Sequence, residues 1–225
     1  MSHVVLAEQR PFAQGGHRLC YVDPRDASRC IKVLRQDRSL AERRRRKGGL
    51  KRLRSLDSFD DNLEESRVLE SLAQCFPPEV LTHVPKHFGW VDSDRGRGLV
   101  VELLRDEDGR ISLSLKQQLW EQGCDETCTG AVKALARVWS TYGVPSRELL
   151  LHNLVLQRQA PGRERVVVVD GLGSSDFLPF ARWSRGLGQR KAARKIRRLE
   201  ARIEELLARK QTGGDPGTHG FLRFR

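Results

Sequence analysis

The chain has 225 residues, 38% of them hydrophobic, and carries 41 Lys and Arg against 29 Asp and Glu, a formal net charge of +12 with a pI near 10.1. That supply of apolar side chains suits a globular chain of one large domain or two small lobes, and the basic balance favours an anionic partner: nucleic acid, a phospholipid surface or a phosphorylated ligand. Five cysteines make no dense disulfide framework, no run approaches the ~20 apolar residues of a membrane span, and MSHVVLAEQRPF lacks a leader's apolar stretch, so a cytoplasmic protein is expected.

The first β-type run, RLCYV at residues 18–22, is followed by the turn cluster Asp23-Pro24-Arg25-Asp26 and a second run, RCIKVL at residues 29–34. This predicts a hairpin. Residues 35–58 hold Arg43-Arg44-Arg45-Arg46-Lys47 and Gly48-Gly49 without a steady apolar period, the pattern of a basic insertion. A helix is predicted after Asp60-Asp61-Asn62, with Leu63, Val68, Leu69 and Leu72 near helical spacing, ending before Pro77-Pro78. Residues 86–91 and 98–104 form a second hairpin around Asp92-Ser93-Asp94-Arg95-Gly96. Residues 113–122 and 127–142 read as helices, the latter with Val132, Leu135, Ala136 and Trp139 on one face and Gly143 as its stop. A third hairpin, residues 154–157 and 165–169, precedes a basic helix at residues 189–210 and a tail, residues 213–225, that reads as frayed and flexible. The predicted class is α+β, with a β-rich part over residues 1–104 and a mainly helical part over residues 105–212.

The third hairpin carries the most chemistry. Asn153 precedes its first strand and Asp170 follows its second, so antiparallel pairing returns both to one end of the ribbon, where strands lie about 5 Å apart. An amide oxygen and a carboxylate there can share a hard cation such as Mg²⁺, or they can be ordinary turn residues beside Gly171 and Gly173. Lys32 stands alone in the apolar strand Cys30-Ile31-Lys32-Val33, which is costly unless it meets an anion; Glu65 on the next helix and a nucleotide phosphate are the candidate partners, and a solvent-facing lysine is the plain alternative. A lysine strand, a glutamate helix, then Asn and Asp around a hairpin is the order of protein-kinase parts.

The chain also resembles the bacterial PhoP regulatory network protein YrbL family over roughly residues 8 to 190. The likeness is carried by Phe12 to Tyr21, Asp23-Pro24, Arg29 to Val33, Val84 to Gly89, Asn153 to Leu156, Val169-Asp170-Gly171-Leu172-Gly173 and Ala181-Arg182-Trp183-Ser184. The resemblance implies a reduced, protein-kinase-like two-lobed fold with ATP and Mg²⁺ as cofactors. In it Lys32 would hold the phosphates, Glu65 would be its ion-pair partner, and Asn153 and Asp170 would be metal ligands. Gly15 and Gly16 would form the phosphate-covering turn, although a full G-x-G-x-x-G is absent, and Glu102 would fall in the adenine linker.

Where kinases place the catalytic Asp of H-R-D-x-x-x-x-N, this chain has Glu148, and the Phe that usually follows the metal-binding Asp is missing. Glu148 is either a base for an acceptor hydroxyl or a surface charge. Three functions follow from these readings. One is a phosphotransferase acting on a lipopolysaccharide precursor, another small hydroxyl compound or a protein. The second is a catalytically inactive, nucleotide-sensing regulatory module, and the third is a nucleic-acid-binding protein. Trp90, Trp120, Trp139 and Trp183 read as packing residues rather than a base-stacking platform, which counts against the third. Cys124 and Cys128 lack a second pair at zinc spacing, and His152 reads as a packed or solvated neighbour of Asn153. In the C-terminal helix, Lys195, Arg197, Arg198 and Arg202 face either an anionic surface or solvent, with Ile196, Leu199, Ile203 and Leu207 inward and Glu200, Glu204 and Glu205 as pairing partners.

Overall fold

A computed structural model describes residues 3–37, 45, 59–173 and 185–225. The centre of the expected basic insertion and the segment Ala181 to Ser184, with Trp183, lie outside the described residues. The chain divides into two compact units: Met1–Ser71 with Lys86–Leu103 and Phe224, and Leu72–Pro85 with Leu104–Arg223 and Arg225.

The first unit is built on an antiparallel sheet in the order β1-β2-β3-β5-β4, from β1 (Ala13–Gln14), β2 (Arg18–Asp23), β3 (Asp26–Leu34), β4 (His87–Ser93) and β5 (Gly96–Glu102). Both expected hairpins are present, and their turns use the predicted residues: the Asp23 carboxylate accepts the Arg25 N–H at 3.0 Å, and the Ser93 hydroxyl donates to the Gly96 carbonyl at 2.6 Å. Strand alternation sends Tyr21, Ile31, Val33, Val91 and Val100 into one cluster with Val4 and Leu6. The N-terminal segment is held there by Asp94, whose two oxygens accept the N–H groups of Leu6 (2.7 Å) and Ala7 (2.8 Å).

Helix α1 (Asp61–Cys75) starts where Asp60 Oδ1 accepts the N–H groups of Asn62 (2.8 Å) and Leu63 (3.2 Å), with Asp61 and Glu64 complementing the dipole of the first turn. It stops before Pro77, and Pro78 opens the short α2 (Pro78–Leu81).

The second unit contains α3 (Leu115–Glu121), capped by Ser114, and α4 (Glu126–Tyr142), capped by Asp125 and closed by Gly143 at φ 66°. A 3₁₀ turn at Leu151–Asn153 leads into the antiparallel β6 (Leu154–Ala160) and β7 (Arg163–Val168), and α5 spans Arg185–Gln211. On α4 the buried face is Cys128, Ala131, Val132, Leu135, Val138 and Trp139; Ala136, expected on it, sits one step round the helix and is half-buried. Trp139 is fully buried, and the ring of buried His83 meets it edge-on at 6.3 Å while its Nδ1–H donates to the Val166 carbonyl at 2.7 Å. Of the other tryptophans, Trp90 and Trp120 are half-buried, and the Arg97 guanidinium stacks 4.5 Å over Trp90.

The tail expected to fray is held by hydrogen bonds. Lys116 Nζ donates to the carbonyls of Gly217 (3.2 Å) and His219 (2.7 Å), and the Leu222 N–H donates to Gln117 Oε1 (2.9 Å). Arg225 reaches the Ile111 carbonyl (3.0 Å) and the buried Asp106 carboxylate (2.8 Å), which also binds Arg158 at 3.0 Å and Ser112 at 2.7 Å. Composition alone hid this, because the partners come from α3 and a buried acid far away in sequence. Among the described residues no helix is long and apolar enough to cross a membrane.

Candidate functional site

Lys32 is buried in β3, and its Nζ donates to Glu65 Oε1 of α1 at 2.7 Å. The solvent-facing alternative for this lysine is therefore not the one adopted. Glu65 is shared: its other oxygen accepts from Arg18, also buried, at the start of β2. Asn62, one turn before Glu65, ties helix to strand by donating Nδ2–H to the Lys32 carbonyl at 2.8 Å and accepting from Arg18 at 3.4 Å. One carboxylate thus faces two guanidinium or ammonium cations, an arrangement whose sign suits a phosphate. Arg18 was not singled out from the sequence. Its signal was parity: β2 pairs with β3 so that Cys20 lies opposite Lys32, and Arg18, two residues earlier, must share that face.

Gly15 and Gly16 form the turn between β1 and β2, closed by the Gly15 N–H donating to the Arg18 carbonyl at 2.9 Å. A Cβ on Gly16 would meet nothing within 4 Å, so its backbone is open to an approaching group. Glu102 ends β5, half-buried, with its N–H on the Lys86 carbonyl at 2.9 Å and Oε2 accepting the Lys86 N–H at 3.1 Å. Its backbone N–H is therefore engaged within the sheet edge.

In the second unit, register Leu154↔Val168 places Asn153 and Asp170 at one end of the ribbon, and the Val169 N–H donates to the Asn153 carbonyl at 2.9 Å. Asp170 is exposed and Oδ1 accepts the Gly171 N–H at 2.7 Å. Gly171 is required here: φ is 78°, and a Cβ would come 2.6 Å from the Glu148 carbonyl oxygen and 3.1 Å from Asn153 Nδ2. The same loop is stitched by the Arg147 N–H on the Gly171 carbonyl (2.8 Å) and the Gly173 N–H on the Pro145 carbonyl (3.0 Å). Asn153, Asp170 and the backbone of Glu148 therefore converge. Among the described residues no group of three or more His, Cys, Asp or Glu side chains is set to hold a metal. Asn153 and Asp170 bring an amide oxygen and a carboxylate, the hard oxygen donors that a Mg²⁺ site uses together with phosphate and water.

The Glu148 carboxylate points its chemistry elsewhere. Oε2 accepts from Arg202 at 2.5 Å and Oε1 from Lys195 at 3.4 Å, with Arg198 3.7 Å away, all on α5. The Arg202 hydrogen bond, with Lys195 beside it, holds this carboxyl below its ordinary range against partial burial. Lys195 also reaches the Arg147 carbonyl, and Arg202 the Leu149 carbonyl at 3.1 Å. The spacing of Lys195, Arg198 and Arg202 along one helix face was the sequence signal for this clamp. His152 is exposed; desolvation and the cation of Lys116 push its pKa down, while Asp170 opposes them.

A family model described as PhoP regulatory network protein YrbL matches residues 4–204 of this chain. Two relatives, the uncharacterized protein YrbL of Escherichia coli (strain K12) and that of Shigella flexneri, are each 29% identical over 199 residues, covering 87% of this chain and 86% of the relative.

Proposed function

The chain belongs to the PhoP regulatory network protein YrbL family, and from that premise we propose that it is a kinase-like, ATP- and Mg²⁺-binding regulatory module of the cytosol. Lys32 contacts the nucleotide phosphates, with Glu65 and Arg18 setting its position, and Asn153 and Asp170 carry the metal. The observation that supports this most is the buried Lys32–Glu65 pair at 2.7 Å, joining a strand to the helix that follows it. The tight turn at Gly171, next to Asp170 and against the Asn153 amide, supports the metal reading. Five free thiols suit a reducing compartment.

A regulatory role is favoured over catalysis because both oxygens of Glu148 are engaged by α5. Phosphoryl transfer to a hydroxyl acceptor, whether a small compound, a lipopolysaccharide precursor or a protein, is the second reading. It is supported by the Glu148 backbone lying against Gly171, next to Asp170 and the Asn153 amide.

Thermal denaturation with and without ATP and Mg²⁺ tests the first reading. A ligand at 100 times its Kd stabilises the folded state by about 2.7 kcal/mol. The wild type is expected to shift, and Lys32→Ala and Asp170→Ala to show no shift; an unresponsive wild type removes both readings. ATP turnover in the wild type that is lost in Glu148→Gln would instead establish the second.

A further inference from the structure

The tail after α5 crosses the start of α3 and reaches the turn Leu151–Asn153, elements that share the second unit with it. Most of its bonds are to its backbone. Lys116 Nζ donates to the Gly217 and His219 carbonyls and the Ser114 hydroxyl to the Gly220 carbonyl, while Gln117 Oε1 accepts the Leu222 N–H. At the far end the Arg225 guanidinium donates to the Ile111 carbonyl and to Asp106. Ser114, Gln117 and Asp106 are all buried, and a buried polar group needs a partner, which the tail supplies to each. The Ser114 oxygen already accepts the Gln117 N–H as the cap of α3 (3.1 Å), so its proton is what it has left to give.

At Gly220 the tail lies directly on the turn. A Cβ there would fall 2.3 Å from His152 Cβ and 3.2 Å from its Cα, at a φ of 91°, so only glycine fits. His152 is the middle residue of the turn and Asn153 is the next. A 3₁₀ turn of this kind has little stability of its own, its hydrogen bond here being the Asn153 N–H on the Leu150 carbonyl at 2.8 Å. Backbone packed against its middle residue therefore restrains it.

We propose that this face of the second unit is a docking site for a peptide of the pattern Gly-x-x-x-x-Arg, filled here by Gly220 to Arg225, and that the docked peptide holds the turn carrying Asn153. The pattern follows from the contacts. Carbonyls and an N–H are common to any sequence, whereas the close approach to His152 requires glycine, and a carboxylate beside a carbonyl suits the several donors of an arginine. The site can empty without stranding its buried acid, because Asp106 keeps Arg158 and Ser112 when Arg225 leaves. A second peptide with the same pattern can then take the place of the tail. A consequence for cation binding rests on the reading proposed above; the docking site itself does not.

The test uses the full chain and a fluorescent synthetic peptide with the sequence of residues 213–225. In the wild type the tethered tail competes at an effective concentration on the order of millimolar. Arg225→Ala removes the anchor of that competitor, a charge-assisted hydrogen bond worth about ten-fold, so this chain should bind the peptide about ten-fold more tightly than the wild type. A peptide carrying Gly220→Val should bind at least about ten-fold more weakly than the unaltered one. In isotope-labelled chains, the His152 and Asn153 amide resonances should move in Arg225→Ala and in Gly220→Val while those of α4 stay in place, a pattern that a general loss of stability does not produce. Adding the peptide to Arg225→Ala should return them. Absent peptide binding to Arg225→Ala, or equal binding of the Gly220→Val peptide, overturns the docking site, and unmoved His152 and Asn153 resonances overturn the hold on the turn. ATP and Mg²⁺ separate this from the nucleotide reading: a melting shift unchanged in Gly220→Val, once the turn resonances have moved, counts against Asn153 as a metal ligand and leaves the docking site standing.

Discussion

Replacing Glu65 with Gln should harm the first unit more than removing either cation that Glu65 binds. Its carboxylate is buried and divides its oxygens between Lys32, at 2.7 Å, and Arg18. Loss of the acid leaves two buried like charges with their shared counter-charge gone, the situation in which one missing partner of a buried pair costs about 3–5 kcal/mol. Lys32→Met leaves the acid with Arg18, so the loss is nearer that of one charge-assisted hydrogen bond, about 1.5–3 kcal/mol. Urea unfolding without nucleotide measures the difference. With an m-value of about 2–3 kcal/mol per molar, the Gln variant should lose roughly 1–2 M from its midpoint and the Met variant about half of that. A Met variant as damaged as the Gln variant would refute the claim that Arg18 can keep Glu65 paired.

Three more outcomes follow from the same geometry. Burial lowers the pKa of His83 from an ordinary 6.5, so below about pH 6.5 the unfolded chain takes up a proton that the folded one refuses; stability should fall as pH drops through that range, and His83→Gln should flatten the decline in pH-dependent melts. Asp106→Ala, which frees Arg158 and Arg225 to water and leaves Ser112 without its acceptor, should cost about 1.5–3 kcal/mol. Arg225→Ala, which leaves Asp106 with Arg158 and Ser112, should cost about 1–2 kcal/mol and expose residues 212–225 to limited proteolysis. Gly171→Ala should cost at least about 1–2 kcal/mol for its left-handed backbone, and more because the new Cβ would lie 2.6 Å from the Glu148 oxygen. Denaturant titration reads that loss, and any ATP and Mg²⁺ response should weaken with it.

Local signals were the readable part of the sequence. Asp23-Pro24 and the Asp92 to Gly96 cluster announced two hairpins because turn chemistry is set by residues adjacent in the chain, and Gly143 ended α4 because only a residue tolerant of φ 66° fits there. Lys32 stood out because an ammonium in an apolar strand demands an anion, and Glu65 was named by its place on the next helix. The short β1 escaped because two residues show no periodicity. Arg18, the α5 clamp on Glu148 and the seat of the tail escaped for another reason. Each depends on which distant element supplies the counter-charge, and composition carries no information about that.

The positive charge of this chain has an internal logic that its pI does not convey. Three carboxylates each gather more than one cation: Glu65 holds Arg18 and Lys32, Asp106 holds Arg158 and Arg225, and Glu148 holds Lys195, Arg198 and Arg202. Three of the four basic residues of α5 that a nucleic-acid reading relied on, Lys195, Arg198 and Arg202, are engaged in this way, Lys195 and Arg202 half-buried and Arg198 exposed, while Arg197 is exposed. A carboxylate that serves several cations matters more than any one of them, because its loss converts attraction into repulsion at short range. On the Lys32 and Arg18 face of the first unit two buried cations share one carboxylate, so the local balance of charge there is positive.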